Sequence, residues 1–261
     1  MRVAVVGNLS LDHVDGGSPR PGGPPRYAAR SLAALGVPSL VRAKSAAADR
    51  VQLVRPFEEL GVPVEWRPGE TTATYAFSYD GDARAMDVRE LGSRWSPADV
   101  AGLEADWVHV GALFRGEFPE ETLAALAETA QLSFDGQGLV RPARRGPLEL
   151  EPEPDTSFLR HVSVLKLSEE EARALTGSRE EEPLTALGVP EVVVTLGSRG
   201  AIVVAESKAV HVPAEPVDAD PTGAGDAFAA AYVVERSRGH DPRDAAERAT
   251  QLVHELLLES R

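Results

Sequence analysis

The stretch "VDADPTGAGDAFAAAYVV", Val217 to Val234, sets Pro-Thr-Gly-Ala-Gly directly before a carboxylate, Asp226, and then runs into small and apolar residues. A glycine-rich turn at a helix start exposes unpaired backbone N–H groups, and the helix dipole adds roughly half a positive charge there. Minimal side chains at Gly223, Ala224 and Gly225 let an anionic phosphoryl group approach the backbone. Asp226 falls in the first helical turn, where it could take a proton from an attacking hydroxyl. The plainer reading is that Asp226 stabilises the helix N-terminus, by about 0.3–1 kcal/mol. The apolar run favours the first reading, because a buried helix holds its N-terminus rigidly, as a catalytic turn requires.

Outward from this stretch, short β-branched runs alternate with helical segments, the pattern of parallel strands joined by helical crossovers. "VAVVG" (Val3 to Gly7), "WVHVG" near Trp107, "QLSFD" near Asp135, "VSVLKL" near Lys166 and "EVVVTLG" near Thr195 read as strands. "PPRYAARSLAALG" reads as a helix with proline at its start and Gly36 as its stop, and "PEETLAALAETA" as another. "SEEEARALTG" opens on Ser168 and Glu171, a capping box. The stretch from Thr71 to Gly92 breaks the alternation: its period-two character around a Tyr-Asp-Gly-Asp turn predicts an antiparallel hairpin, a candidate lid. The Pro- and Glu-rich run from Arg144 to Ser157 reads as a surface connection without a site.

Composition narrows the class. The 261 residues suit one large α/β domain, and 41 acidic against 27 basic residues, a formal charge of −14, argue against nucleic acid or an anionic membrane as partner. An anionic ligand then needs local help, from backbone amides or a metal. The absence of cysteine excludes disulfides, thiolate chemistry and Cys-ligated zinc, and the six histidines show no H-E-x-x-H arrangement. The opening apolar run is too short for a secretory signal and no later run suits a membrane span, so a cytoplasmic protein is expected.

"DPTGAGDAF" resembles the C-terminal signature of the PfkB-type, or ribokinase-like, carbohydrate kinases. Four further stretches support the resemblance in the family's order: "VVGNLSLD", "RPGGPPRYAARSLAALG", "KLSEEEARALTG" and "VVVTLGSRGAIVV". It implies a ribokinase-like three-layer α/β/α sandwich with a mostly parallel sheet, a single domain over 1–261 with a small, reduced β lid at about 71–92. It implies further that Asp226 is the base that deprotonates the acceptor hydroxyl, beside an anion hole made by Gly223, Ala224, Gly225 and the Asp226 amide. Asp12, with Ser10 beside it, matches the sugar-binding carboxylate; Gly22 and Gly23 allow close approach of a substrate, and Tyr27 follows them. Thr195, Gly197 and Gly200 would line the nucleotide, though a plain turn between two strands explains them as well. ATP is the implied donor, with Mg²⁺; a monovalent cation is compatible with the family and is fixed by no residue pattern.

Departures from the family pattern bear on the substrate. Ser168 stands where an Asn-x-x-Glu segment usually begins, so a metal role rests on Glu171 through water, and the capping box accounts for Glu171 equally well. Pro24, Pro25, Arg26 and Tyr27 replace the polar residues of the ribokinase branch, against ribose itself. Only nine residues separate Asp12 from Gly22, which shortens the lid and weakens the case for a lid-mediated dimer; monomer and homodimer both stand. "SFDGQGLVR" carries Asp135, Gln137 and Arg141 just past a strand's C-terminal end, the edge where open α/β sheets bind ligands. With Tyr27 and Ser168 this resembles the inositol- and nucleoside-type members, so Arg141 joins the expected substrate-binding residues. Lys166, at the end of the adjacent strand, could face phosphate or a neighbouring carboxylate, and the ion pair is the favoured reading. The expectation is transfer of a phosphoryl group from ATP to a sugar or cyclic polyol; the alternative is a catalytically inactive nucleotide- or polyol-binding regulator on the same fold.

Overall fold

Each apolar run read as a strand forms one in the computed structural model, which describes residues 1–80 and 83–259. The first half of the chain contains β1 (Val3–Asn8), β2 (Ser10–Val14), β3 (Arg20–Gly22), α1 (Pro24–Leu35), β4 (Ser39–Ala46), α2 (Arg50–Leu60) and β5 (Val64–Gly69). There follow β6 (Ala73–Asp80), β7 (Ala83–Glu90), α3 (Pro97–Val100), β8 (Trp107–Gly111), α4 (Glu120–Ala127), β9 (Gln131–Asp135) and α5 (Gln137–Val140). The remainder comprises β10 (Gly146–Pro147), β11 (Val164–Ser168), α6 (Glu169–Thr176), α7 (Glu181–Thr185) and β12 (Glu191–Thr195), then β13 (Ala201–Ala205), β14 (Lys208–Val212), α8 (Ala224–Ser237) and α9 (Pro242–Glu259).

One nine-stranded sheet runs β14-β13-β12-β11-β9-β8-β1-β4-β5. The strands from β12 to β5 pair in parallel, and β13 and β14 turn antiparallel at one edge. Its central strands are apolar on both faces because both faces are covered. Successive residues point to opposite sides, so Val3 and Val5 pack beneath α1, α2, α8 and α9, while Ala4 and Val6 join the core that includes Leu123 of α4 and Ala172 of α6. The result is the three-layer arrangement expected from the alternation.

Sequence reading assigns no elements to 39–69, where the structure has β4, α2 and β5. Pro56 lies inside α2, which masks the helical pattern, and β4 carries Arg42 and Lys44 along its length, both buried and both ion-paired, to Glu65 and Asp99. Charged residues buried with partners look exposed to any hydropathy criterion.

The second sheet has the order β10-β7-β6-β2-β3. β6 and β7 pair antiparallel, with Gly81 and Asp82 of the expected turn lying outside the described residues. The hairpin is extended on one side by β2, parallel to β6, and on the other by β10. β10 belongs to the segment read as a plain surface connection, and its two residues are too few to leave a periodic signal. Tyr75, Phe77 and Val88 pack with Leu113 and Phe114 of the loop after β8, which gives this sheet a core of its own.

Candidate active site

Helix α8 is buried from Ala227 to Glu235, between α1 and α9. Alanines at 28, 29, 230 and 231 let α1 and α8 come close, and Ser31 Oγ donates to the Ala227 carbonyl at 2.8 Å. The N-terminus of α8 is thereby fixed against the sheet. Gly223 caps it in the left-handed region, φ 79°, a conformation that costs a side-chain-bearing residue about 1–2 kcal/mol. Ahead of the cap, Asp220 Oδ1 accepts from both the amide and the hydroxyl of Thr222, at 2.9 and 2.6 Å. Asp226 follows in the first turn. Its Oδ1 is buried with no hydrogen-bond partner among the described residues, and its carboxyl is pushed up to about 7 by burial and by nearby Asp135, against the opposing pull of Lys166 and Arg141.

Across the cavity lies Asp12, at the middle of β2. Ser10 Oγ donates to its Oδ1 at 2.7 Å, and the Tyr27 hydroxyl points at its Oδ2 from 3.5 Å. Gly22 packs on this carboxylate: a Cβ there would sit 2.0 Å from Oδ2. Gly23 opens α1 with φ 94°, and a Cβ would meet the Asn8 carbonyl at 2.6 Å, so both glycines serve close approach of chain to chain. The Tyr27 ring lies against Gly223, where a Cβ would come within 2.1 Å of it. Burial, then Asp12 and Asp226, push the Tyr27 phenol up, so it remains a donor. One side chain thus touches the Asp12 carboxylate at one end and the glycine turn of α8 at the other.

Asp12, Tyr27, Gly223, Gly225 and Asp226 line one cavity of about 180 Å³. Ser10, Gly23 and Arg141 also reach it, so most residues expected at the substrate end converge. Tyr75, Phe77 and Met86 of the small sheet supply an apolar wall, with Leu113 beside them. Leu113 is held by Glu117, a fully buried carboxyl that accepts from the Leu113 amide and from Asn8 Nδ2, at 2.6 and 2.8 Å. Burial pushes this carboxyl up to about 8. A carboxylate facing an apolar wall suits a ligand with hydroxyls on one side and C–H groups on the other. A larger groove of about 470 Å³ near Arg238 and Glu247 is open, and Arg238 there is already paired with Glu235.

Other expected residues stand apart from the cavity. Ala224 and Gly22 do not line it. Neither do Thr195, Gly197 and Gly200: the Thr195 hydroxyl donates to the Leu167 carbonyl at 3.2 Å, and a Cβ on Gly200 would strike the Val212 carbonyl at 2.0 Å. Glu171 caps α6, its Oε2 accepting from the Ser168 amide at 2.8 Å while the Ser168 hydroxyl accepts from the Glu171 amide at 3.1 Å. Its other oxygen faces Arg141 at 3.9 Å. Glu171 Oε2 is thus taken by the Ser168 amide and its Oε1 has Arg141 at 3.9 Å, and among the described residues there is no group of three metal-ligating side chains, so a Mg²⁺ here would reach Glu171 through water.

Sequence reasoning favoured an ion pair for Lys166 over a place facing phosphate. Its ammonium pairs with Asp135 at 3.2 Å, as expected, yet it also lines the cavity beside Gly225. The available signal was a lysine inside the apolar strand "VLKL", in a chain whose cations are nearly all arginine. Among the described residues no helix is long and apolar enough to cross a membrane.

The profile of the pfkB family carbohydrate kinases matches residues 5–253. A ribokinase of Bacillus subtilis (strain 168) is 33% identical over 144 residues, 54% of this chain, and the matched part spans about half of that relative's length, 47%. A pyrophosphate-dependent kinase in the ribokinase family, solved with a pyrophosphate analog and myo-inositol, superposes with a TM-score of 0.87 at 24% identity, over 98% of this chain and 95% of that one. A sulfate complex of a pyrophosphate-dependent kinase in the same family gives 0.86 at 25% identity, over 99% and 100%.

Proposed function

The chain belongs to the pfkB family of carbohydrate kinases, and from that premise we propose that it transfers a phosphoryl group to a hydroxyl of a sugar or cyclic polyol. The observation that carries the reading is the convergence of two carboxylates, Asp12 and Asp226, on one cavity whose wall includes the glycine turn of α8. Asp12 accepts hydrogen bonds from hydroxyls of the acceptor and orients it. Asp226 takes the proton of the attacking hydroxyl; a carboxyl near pH 7 has the affinity that task needs. The acceptor oxygen forms the new bond to phosphorus as the bond to the donor's bridging oxygen breaks, and that electron pair leaves with the remainder of the donor. Amides of the α8 turn stabilise charge on the group in transit.

ATP is the donor expected from the family resemblance, with Mg²⁺ accompanying it as a chelate of its own phosphates. A second reading, inorganic pyrophosphate, is favoured by a specific observation: Thr195, Gly197 and Gly200, the residues expected at a nucleotide, stand outside the cavity, whereas Lys166 and Arg141 line it. Two structural relatives described as pyrophosphate-dependent point the same way. The acceptor reading, a cyclic polyol in preference to a hexose phosphate, is supported by the pairing of Asp12 with the apolar wall of Tyr75 and Phe77.

The test is consumption of ATP and of pyrophosphate, each measured against a panel of inositols, sugars and nucleosides. Acceptor-dependent loss of either donor is expected. Binding of a polyol without consumption of any donor would transfer the protein to the class of inactive regulators.

A further inference from the structure

Burying a carboxylate among neutral groups is costly, and an apolar side chain of similar size would fill the same space without that cost. Glu117 is fully buried all the same, behind the cavity and not in its lining. Its hydrogen bonds come from neutral amides. Oε2 accepts from the Leu113 amide at 2.6 Å and the Phe114 amide at 3.3 Å, and Oε1 accepts from Asn8 Nδ2 at 2.8 Å. Leu113 lines the cavity, and both it and Phe114 pack with Tyr75 and Phe77 of the small sheet. One oxygen of Glu117 therefore fixes the backbone of the wall against which an acceptor would lie.

The other oxygen acts on the stem of the small sheet, which the chain enters through 70–72 and leaves through 91–96. The two segments are tied to each other: Thr71 Oγ1 donates to the Leu91 carbonyl at 2.7 Å, and the Thr71 amide to Ser93 Oγ at 3.1 Å. Lys44 of β4 and Asn8 of β1 tie them to the large sheet, donating to the Arg94 carbonyl at 2.9 Å and the Ser93 carbonyl at 2.8 Å. Gly92 is fitted to the Asn8 contact. It has no positive φ, yet a Cβ there would lie 2.6 Å from Asn8 Nδ2. The Asn8 Nδ2 group thus spends one hydrogen on Glu117 and one on the stem, while its Oδ1 is buried with no partner among the described residues. An amide turned over would set that oxygen against the Ser93 carbonyl and the Glu117 carboxylate, so Glu117 fixes which way Asn8 faces.

We infer that Glu117 is a positioning residue for the acceptor: through Asn8 and the Leu113 amide it sets the spacing between the stem of the small sheet and the wall of the cavity. The inference rests on the phosphoryl-transfer reading, in which this cavity holds the acceptor, and adds a residue that touches none of the reacting groups. Polar networks of this kind, fully satisfied and buried, rigidify the segments they join. A glutamine at 117 keeps the shape and cannot repeat the contacts. It has one acceptor oxygen, so its NH₂ must face either Asn8 Nδ2 or the two backbone amides, donor against donor. The glycine turn of α8 lies outside this joint, so the effect falls on the acceptor and not on the donor.

The experiment is calorimetric titration of the full chain with myo-inositol, D-ribose and D-fructose in turn, without a donor, in wild type, Glu117→Gln, Gly92→Ala and Glu191→Gln. Turnover with ATP and with pyrophosphate is then followed on whichever of the three binds. Glu191 is a buried carboxylate outside the cavity that accepts from the Tyr232 hydroxyl and from Arg236, so its variant reports the general effect of losing such a group. The acceptor dissociation constant is expected to rise about tenfold in Glu117→Gln and severalfold in Gly92→Ala, the scale on which a small misplacement of binding groups is felt, and to stay within about twofold in Glu191→Gln. The donor KM should match wild type in all three. Should Glu117→Gln not fold, Gly92→Ala, which keeps the carboxylate and pushes on the Asn8 amide, decides the matter. Unchanged acceptor affinity in the deciding variant, an equal rise in Glu191→Gln, or an equal rise in the donor KM overturns the inference and leaves the kinase reading intact. Binding of an acceptor without turnover would sink the kinase reading and leave the joint standing, whereas a wild type that binds none of the three at millimolar concentration overturns both.

Discussion

Two glycine turns, 223–225 ahead of α8 and 197–200 between β12 and β13, look alike as sequence and differ in what their glycines are for. At 200, φ is 94° and the Cβ position is occupied by the Val212 carbonyl, while the Leu196 amide donates to the Gly200 carbonyl at 2.7 Å. That turn closes on its own backbone. At 223 the Cβ position is occupied by the Tyr27 ring, and at 225 a Cβ would lie 3.1 Å from Lys166 Nζ; both side chains line a cavity. A glycine that admits another strand and one that admits a side chain of the cavity obey the same steric rule, so only the identity of the neighbour separates a turn that closes on backbone from one that borders the cavity.

The comparison can be broken by substitution. Asp226→Asn is expected to reduce turnover at least about 10²-fold, the scale of losing a general base, with an unchanged melting profile near pH 4; wild-type kinetics in that variant would return Asp226 to a helix-capping role. Gly223→Ala should cut turnover on the order of tenfold or more, because the methyl displaces Tyr27 and shifts the turn, and small misplacements are costly to catalysis. Steady-state kinetics beside a thermal melt would detect both effects.

A pH profile sharpens the same point. Asp226 must be ionised to act, so kcat/KM should rise with pH through about 7, and a limb near 4 would mean that its environment is far more polar than the structure has it. The linked stability has the opposite sign. The folded-state pKa of Asp226 stands above the ordinary 3.8, so the native state binds the extra proton, and stability falls as pH rises from about 4 to about 7. Asp226→Asn should flatten its share of that slope in denaturant titrations across the window.

Gly200→Ala is the counterpart: a loss of about 1–3 kcal/mol in stability, read by denaturation, with the KM for the donor unchanged. A raised donor KM without destabilisation would restore Gly200 to the nucleotide side. The smallest effect belongs to Thr195→Val, which removes one hydrogen bond to the Leu167 carbonyl and should cost about 0.5–1.5 kcal/mol with no kinetic consequence.

Much of the scaffold was legible because it rests on local chemistry. Apolar runs such as "VAVVG" and "EVVVTLG" can be buried on two faces only inside a covered sheet, and Gly36, which ends α1 at φ 58°, is a stop signal of the same kind. The segment 39–69 was hidden because Arg42 and Lys44 owe their burial to partners remote in the chain, Glu65 and Asp99. The site divides in the same way. Asp226, Gly223 and Asp12 stand in short motifs with a local geometry. Lys166 and Arg141 carry no such motif, and Thr195, Gly197 and Gly200 carry one that lies outside the cavity.

By itself, then, the sequence determined the alternation of strands and helices, the glycine turn with its carboxylate, and the likeness to one kinase family, since each depends on neighbours a few residues away. Tertiary structure alone decided which side chains share the cavity. Lys166 meets Gly225 across 59 positions of chain, and Tyr27 meets Gly223 across 196. Contacts of that range are set by how β11 and α1 pack against α8, and their energy is absent until the layers close.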